Sequence, residues 1–342
     1  MQRLFSSVAS YASTIQKAIS PSVCACLKSQ GYAVVDGLGH GLADAYREEI
    51  VSLYKNGRMH KNSTHLVKGD QSHKLEKSHV HEAELSIGVG AAETQTNAPL
   101  CANLGQDTSL STMLSLFMPD VKLDSQAIKL QYNEGEGGCF PLHIDSDPTI
   151  DNRVVTAIFY LNPSWQPHNG GLLQLYPWPF PPVSIEPLHG RLVLFPSQRM
   201  IHRVTPYKIQ GAQGESQEGQ GRCCFTIWMS QSPRAQRGRG QRTRQLPLSA
   251  LQPKTSPEED PEAAIQFLMT PQIRPHAAKM ALSAEWLESL QQSHPPGPAL
   301  DAVVQKHEAE VGVIKKALGR YEGIIRQLTQ DPDMARRYLA WF

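Results

Sequence analysis

The chain has 342 residues, enough for one large domain with appendages or two ordinary domains, each with a sizeable core. Its 33 Lys and Arg balance 32 Asp and Glu, so no global field directs it to nucleic acid or to a membrane surface. Six cysteines include no CxxC pair, which excludes a zinc-finger framework and reads as reduced thiols of an intracellular protein; no apolar stretch approaches the about 20 residues needed to span a bilayer.

Residues 1–20 are Ser-rich and free of acids, with Arg3 and Lys17 as cations. Leu4, Val8, Tyr11, Ile15 and Ile19 fall on one helical stripe. This segment reads either as an organellar transit peptide, which would direct the chain to a mitochondrion or similar organelle rather than the cytoplasm, or as a helix docked on the domain. Pro21 closes it, and residues 21–125 form a helical lead-in with short strands. Within the lead-in, Gly31 to Asp36 is a short buried strand and Leu42 to Lys55 a helix. Leu42, Tyr46, Ile50 and Leu53 lie on the face of that helix that packs on a sheet, with Arg47, Glu48 and Glu49 turned away. Met59 to Glu84 is polar and His-rich and reads as loop or weak strand; His79-Val80-His81-Glu82 within it mimics a metal motif but lacks a third ligand on an assured strand.

Residues 126–231 change texture to short alternating or β-branched runs punctuated by Gly, Pro, Asn and Asp. Eight strands are expected: Ala127 to Asn133, Cys139 to Ile144, Val154 to Leu161, Leu172 to Tyr176, Val183 to Leu188, Leu192 to Phe195, Ile201 to Tyr207 and Cys223 to Ser230. Eight strands of this length suit a double-stranded β-helix, or jelly roll. The expected fold class is therefore α+β, with this jelly-roll core, packing helices N-terminal to it and a helical C-terminal extension. Gln210 to Gly221 reads as an excursion on the hairpin between the last two strands.

Residues 232–262 form a linker with Arg234, Arg237, Arg239, Arg242 and Arg244 at its start. Those arginines could meet nucleic acid, yet no aromatic residues interleave with them to stack bases, which favours a solvated linker. Residues 263–342 are helical. Val304, His307, Val311, Ile314, Leu318, Tyr321, Ile325 and Leu328 keep alternating three- and four-residue steps. This seam either pairs two chains as a homodimer or packs within the chain, for example against a Ser283 to Gln292 helix; His and Tyr at core positions favour the intramolecular choice.

The chemistry concentrates at His143-Ile144-Asp145 on the second of the eight strands. Residues two apart on a strand share a face, so both side chains can reach one metal ion. His202 on the seventh strand, 59 residues after His143, supplies a third ligand. Two imidazoles and one carboxylate form the facial triad of non-haem Fe(II) oxygenases, with positions left open for co-substrates. A chelating 2-oxoglutarate then needs a cation for its far carboxylate. Arg222 opens the eighth strand, and a guanidinium can grip a carboxylate through two parallel hydrogen bonds. Leu130, Ile158, Leu173, Leu194 and Ile227 are expected to wall the site with apolar surface.

On these pieces, together with Val155 to Asn162, Gly170 to Leu173, Arg191 to Phe195, His202 to Val204 and Arg222 to Trp228, the chain resembles the prolyl 4-hydroxylase-like 2-oxoglutarate/Fe(II) oxygenases. It looks most like their oxygen-sensing prolyl hydroxylase branch, over roughly Gly31 to Ser230. The resemblance implies that His143, Asp145 and His202 bind iron and that Arg222 binds the C5 carboxylate of 2-oxoglutarate with help from the Tyr160 hydroxyl. It also implies an O2-dependent hydroxylation with succinate and CO2 as co-products, ascorbate as an auxiliary reductant, and a prolyl residue of a protein or peptide as the favoured substrate. One departure is the longer separation of His202 from Arg222, filled by Gln210 to Gly221. Two rivals are a non-catalytic metal-binding β-barrel that scaffolds through its C-terminal helix, and a metal-dependent isomerase that would not need Arg222.

Overall fold

A computed structural model describes residues 10–68, 71–85, 97–146, 151–209, 220–231, 253 and 255–342. Leu4 and Val8 of the first stripe, most of the Gln210 to Gly221 excursion and all five linker arginines lie outside the described residues. Among those described, no helix is long and apolar enough to cross a membrane.

The docked reading describes the described part of the N-terminal segment. Helix α1 (Tyr11–Ala18) starts on a Ser10 cap and places Tyr11 and Ile15 in the main core, joined by Ile19 just beyond its end. A second helix, α2 (Pro21–Gln30), was not expected. Its signals are local: Ser20 caps Val23 N–H, Pro21 occupies the first turn, and Gly31 ends it in the left-handed conformation at φ 82°. Pro21 thus opens a helix as well as closing one. Gly31 also faces the Trp341 ring so closely that a Cβ there would lie 2.4 Å from it. Gly31→Ala is expected to cost about 1–3 kcal/mol through left-handed strain and overpacking, read as a lowered unfolding midpoint in denaturant.

Strand β1 (Ala33–Val35) and helix α3 (His40–Lys55) stand where the sequence places them. The polar side of α3 is not idle, because it bonds inward to backbone. Arg47 donates to Leu161 O at 2.7 Å and Gly221 O at 2.9 Å. Glu49 receives Leu100 and Cys101 N–H at 2.9 and 2.8 Å, satisfying the start of α4 (Pro99–Leu104); α5 (Ser109–Phe117) follows. The Met59 to Glu84 stretch differs more from expectation. It forms two long antiparallel strands, β2 (His60–Lys68) and β3 (Gln71–Leu85), and β3 pairs with β4 (Ser125–Asn133). Where their side chains are described, the buried ones are mostly polar, Asn62, Lys77 and Glu82 beside Val80, so these strands show no apolar alternation to betray them.

All eight strands expected between 126 and 231 are present, as β4 and then β5 (Phe140–His143), β6 (Arg153–Tyr160), β7 (Leu173–Tyr176), β8 (Val183–Ile185), β9 (Leu192–Pro196), β10 (Ile201–Val204) and β11 (Arg222–Ser230). They divide between two antiparallel sheets ordered β1-β9-β6-β11-β4-β3-β2 and β5-β10-β7-β8. Most successive strands switch sheets, which is jelly-roll winding. The two faces of the larger sheet sort by the two-residue period. Val155, Ala157 and Phe159 of β6 pack toward α1 to α5, whereas Ile158 and Tyr160 pack toward the smaller sheet.

That period corrects the expected apolar wall. Ile158 and Leu173 do line the space between the sheets, but Leu130, Leu194 and Ile227 point into the helix-facing core. Val193 and Phe195 take their places on the inner face. The C-terminal part is helical, with α6 (Pro261–Leu268), α7 (Arg274–Ala281), α8 (Ser283–Ser293), α9 (Pro298–Leu318) and α10 (Glu322–Gln330). The seam expected to be continuous breaks at a 3-10 turn, Gly319–Tyr321. Ile314, Leu318, Tyr321, Ile325 and Leu328 pack within the chain, against a cluster that includes Ile265, Phe267, Trp286 and Leu142 of β5. This cluster lies against the outer face of the smaller sheet.

Candidate metal centre

Antiparallel pairing of β5 with β10 sets His143 directly opposite His202, and their ring centroids are 4.2 Å apart. Each ring is oriented by the carbonyl two residues before it. His143 Nδ1 donates to Pro141 O at 2.8 Å and His202 Nδ1 to Met200 O at 3.1 Å. A carbonyl only accepts, so both Nδ1 atoms carry the proton in the neutral rings and both Nε2 atoms present a lone pair. Those two Nε2 atoms face Asp145 Oδ1 at 3.5 and 3.6 Å. Such distances are too long for hydrogen bonds. They suit three donor atoms arranged about one ion with bonds of about 2.1 Å.

His143, Asp145 and His202 are the group of His, Cys, Asp and Glu residues, among those described, whose ligand atoms gather to hold a metal. Asp145 does not owe its place to strand periodicity, because β5 ends at His143. Its Oδ2 is held instead by Thr156 Oγ1 at 2.7 Å and Trp228 Nε1 at 3.1 Å, which leaves Oδ1 facing the imidazoles. Thr156 is in turn bonded to Ser197 Oγ at 2.8 Å, and the Trp228 ring lies between Arg153 at 4.5 Å and Lys129 at 5.5 Å. Sequence reasoning missed Thr156, Ser197 and Trp228. The one available signal was a hydroxyl at an inward position of the apolar β6 run.

Burial opposes the charge on Asp145, but His202, His143 and the Thr156 hydroxyl outweigh it and hold the carboxyl well below its usual range. Burial, reinforced by the charge of His143, pushes His202 down to about 4. At neutral pH the site therefore presents a carboxylate and a neutral distal imidazole, the protonation states a metal requires. Thr156→Val and Trp228→Phe are each expected to weaken divalent-metal binding about 10- to 100-fold while leaving the three ligands in place, measured by Co(II) titration of the visible absorption.

Arg222 and Tyr160 lie deeper between the sheets, 4% and 0% exposed. The Arg222 guanidinium sits 5.0 Å over the Tyr160 ring, with Nε donating to Gly171 O at 3.0 Å and Nη1 reaching Cys224 Sγ at 3.7 Å. Gly171, at φ 67°, permits this approach, since a Cβ there would lie 3.0 Å from Arg222 Cδ. No carboxylate among the described residues pairs with Arg222, and the Tyr160 hydroxyl is buried without a partner. Burial also raises the Tyr160 hydroxyl above its ordinary range, keeping it a donor. An unpaired buried guanidinium beside an orphan hydroxyl donor is a site shaped for a carboxylate.

Residues 128–230 match the family profile of the 2OG-Fe(II) oxygenase superfamily. The chain carries a 2OG-Fe(II) oxygenase domain. Enzymes of this family use Fe(II), 2-oxoglutarate and O2, and the donor set above fits them. The oxygenase is 26% identical to mouse prolyl hydroxylase EGLN3 over 223 residues, covering 63% of this chain and 84% of that relative. It is 30% identical to the hypoxia-inducible factor prolyl hydroxylase of Caenorhabditis elegans over 201 residues, 55% of this chain and 26% of the worm protein. A crystal structure of a prolyl 4-hydroxylase from Phytophthora capsici superposes with a TM-score of 0.70 at 26% identity, covering 97% of both chains.

The His79 to Glu82 motif and the other ligand-type residues near the strands take structural roles where they are described. His79 and His81 lie on β3, not in a loop, and both bond the Glu134 carboxylate, at 3.0 and 2.8 Å. His189 pairs with Asp44 at 3.0 Å. Asp151 receives Arg153 N–H at 3.0 Å and the Ser146 hydroxyl, as a turn residue does. Asp147 lies outside the described residues. Cys223 and Cys224 face opposite sides of β11.

Proposed function

We propose that the oxygenase hydroxylates a prolyl residue of a protein or peptide, with His143, Asp145 and His202 holding Fe(II) and with Arg222 and Tyr160 gripping the C5 carboxylate of 2-oxoglutarate. The observation that carries the metal assignment is the orientation of both imidazoles, with Nδ1 tied to backbone and Nε2 turned to Asp145 Oδ1. The orphan Tyr160 hydroxyl and the carboxylate-free Arg222 support the second assignment. Prolyl hydroxylase relatives support the substrate class. In this reading residues 126–231 are the catalytic unit, 21–125 its supporting lead-in and 263–342 an extension covering the smaller sheet.

Bound Fe(II) supplies O2 activation coupled to oxidative decarboxylation of 2-oxoglutarate to succinate and CO2. The chain's own contribution is positioning and exclusion of water. Arg222 fixes one end of the co-substrate, with no competing carboxylate among the described residues. Ile158, Leu173, Val193 and Phe195 line the space around it, and the Phe195 ring sits 4.7 Å from His202, so the reacting end is sheltered from solvent. Access comes from the His143 side, whose ring is 36% exposed against 5% for His202. The substrate is expected to enter over His143 and Trp228.

The test is incubation of the full chain with Fe(II), 2-oxoglutarate, ascorbate and a library of Pro-containing peptides, followed by mass spectrometry and succinate measurement. One added oxygen on proline, stoichiometric with succinate, is expected. Succinate formation driven only by non-prolyl substrates would overturn the substrate assignment while keeping the oxygenase.

A further inference from the structure

Behind the turn that carries the distal histidine lies a pair of cations, Arg274 and Arg199, with no counter-charge among the described residues. Arg274, the first residue of α7, is 2% exposed, and its Nη1 and Nη2 are both buried without a hydrogen-bond partner. No carboxylate among the described residues pairs with it. Its guanidinium lies 4.1 Å over the ring of Trp341, itself 3% exposed, whose Nε1 is also buried and unpartnered. Arg199 is close enough that its charge adds to the effect of burial, which together lower Arg274 to about 9. Arg199 reaches the same tail, donating from Nη1 to Ala340 O at 2.9 Å.

Two guanidinium groups and an indole N–H, with no acid among the described residues, make an arrangement that costs free energy as it stands. A cation–π contact contributes about 0.5–2 kcal/mol, whereas an unpaired buried ion costs several. Water can satisfy the N–H groups but supplies no opposite charge. An oxyanion satisfies both, and the planar fork of a guanidinium matches two of its oxygens. We propose that Arg274, Arg199 and the Trp341 indole form a buried site for one small oxyanion of the phosphate or carboxylate type, separate from the co-substrate site at Arg222.

The position of this site gives it a link to the metal centre. Met200, next to Arg199, supplies the carbonyl that orients His202 Nδ1, and its side chain packs in the same apolar cluster as Trp341. An occupied site would tie α7, the tail and the distal-histidine turn through one ligand.

The experiment is calorimetric titration of the full chain with inorganic phosphate at constant ionic strength set by chloride, and in parallel with acetate. Saturable binding of one anion per chain is expected in Arg222→Met, where the co-substrate carboxylate site is removed, and the same binding event is expected alongside that site in the wild type. Arg274→Met and Arg199→Gln should each weaken it about tenfold or more, the loss expected when a charge-assisted contact is removed. Tighter phosphate binding names a phosphate site, and tighter acetate binding names a carboxylate site. The proposal is overturned by absence of saturable binding of either anion, by unchanged binding in Arg199→Gln, or by loss of binding in Arg222→Met, which would place the anion at the co-substrate site. Should Arg274→Met not fold, Arg199→Gln decides alone.

Discussion

Asp145→Ala is expected to abolish Fe(II) binding at micromolar metal and, with it, all succinate formation. Three effects combine in this one substitution. The carboxylate is the only anionic member of the triad, so its loss leaves two imidazoles that face each other across 4.2 Å with no negative charge to balance a divalent ion. The Thr156 hydroxyl and Trp228 indole also lose their shared acceptor. Finally, the coordination geometry drops to two ligands, below the set that a non-haem Fe(II) site needs. The loss should exceed the about 10- to 100-fold expected for Thr156→Val, because that variant removes a supporting contact and not a ligand. Titration with Co(II) or Mn(II), read by absorption or electron paramagnetic resonance, measures affinity without turnover. Near-wild-type metal affinity in Asp145→Ala would remove Asp145 from the triad.

The second large effect belongs to Arg222. Arg222→Ala should weaken 2-oxoglutarate binding about 100-fold or more while leaving metal affinity intact. Each hydrogen bond from a charged donor contributes about 1.5–3 kcal/mol, and a bidentate grip contains two. A loss of about 3 kcal/mol corresponds to somewhat more than a hundredfold in dissociation constant. Arg222→Lys should recover only part of it, because an ammonium lacks the planar fork, and the Nε contact to Gly171 O disappears as well. Fluorescence or calorimetric titration of the Mn(II)-loaded protein with 2-oxoglutarate separates this from metal loss. Unchanged affinity would sink the carboxylate role and reopen the isomerase reading, which needs no such cation. Tyr160→Phe removes one neutral donor and should cost roughly tenfold, a smaller change than Arg222→Ala.

The sequence alone carried the eight-strand order, the placement of His143 on the second strand, His202 on the seventh and Arg222 opening the eighth. These were legible because a half-buried strand writes its two faces as alternation and its ends as Gly, Pro, Asn and Asp, which are local properties. Helix α2 was equally local, with its Ser20 cap, Pro21 and Gly31, and could have been read. The strands β2 and β3 could not, because their polar surface carries no periodic signal and their identity comes from pairing with β4.

What only the tertiary structure decided concerns register and facing. The sequence placed His143, Asp145 and His202 as candidates for one ion, but pairing of β5 with β10 sets the two rings opposite each other, and Thr156 and Trp228, from two other strands, turn Asp145 toward them. The inner wall had the same dependence. Leu194 and Val193 are both β-sheet apolar residues, and which one faces the site depends on which sheet face looks inward, a one-residue choice set by the pairing of β9 with β6. The C-terminal seam was visible as a repeat, yet its partner is a surface contributed by Trp286, Phe267 and Leu142, residues far apart in the chain. Periodicity reports that a face is buried; only the assembled fold reports what buries it.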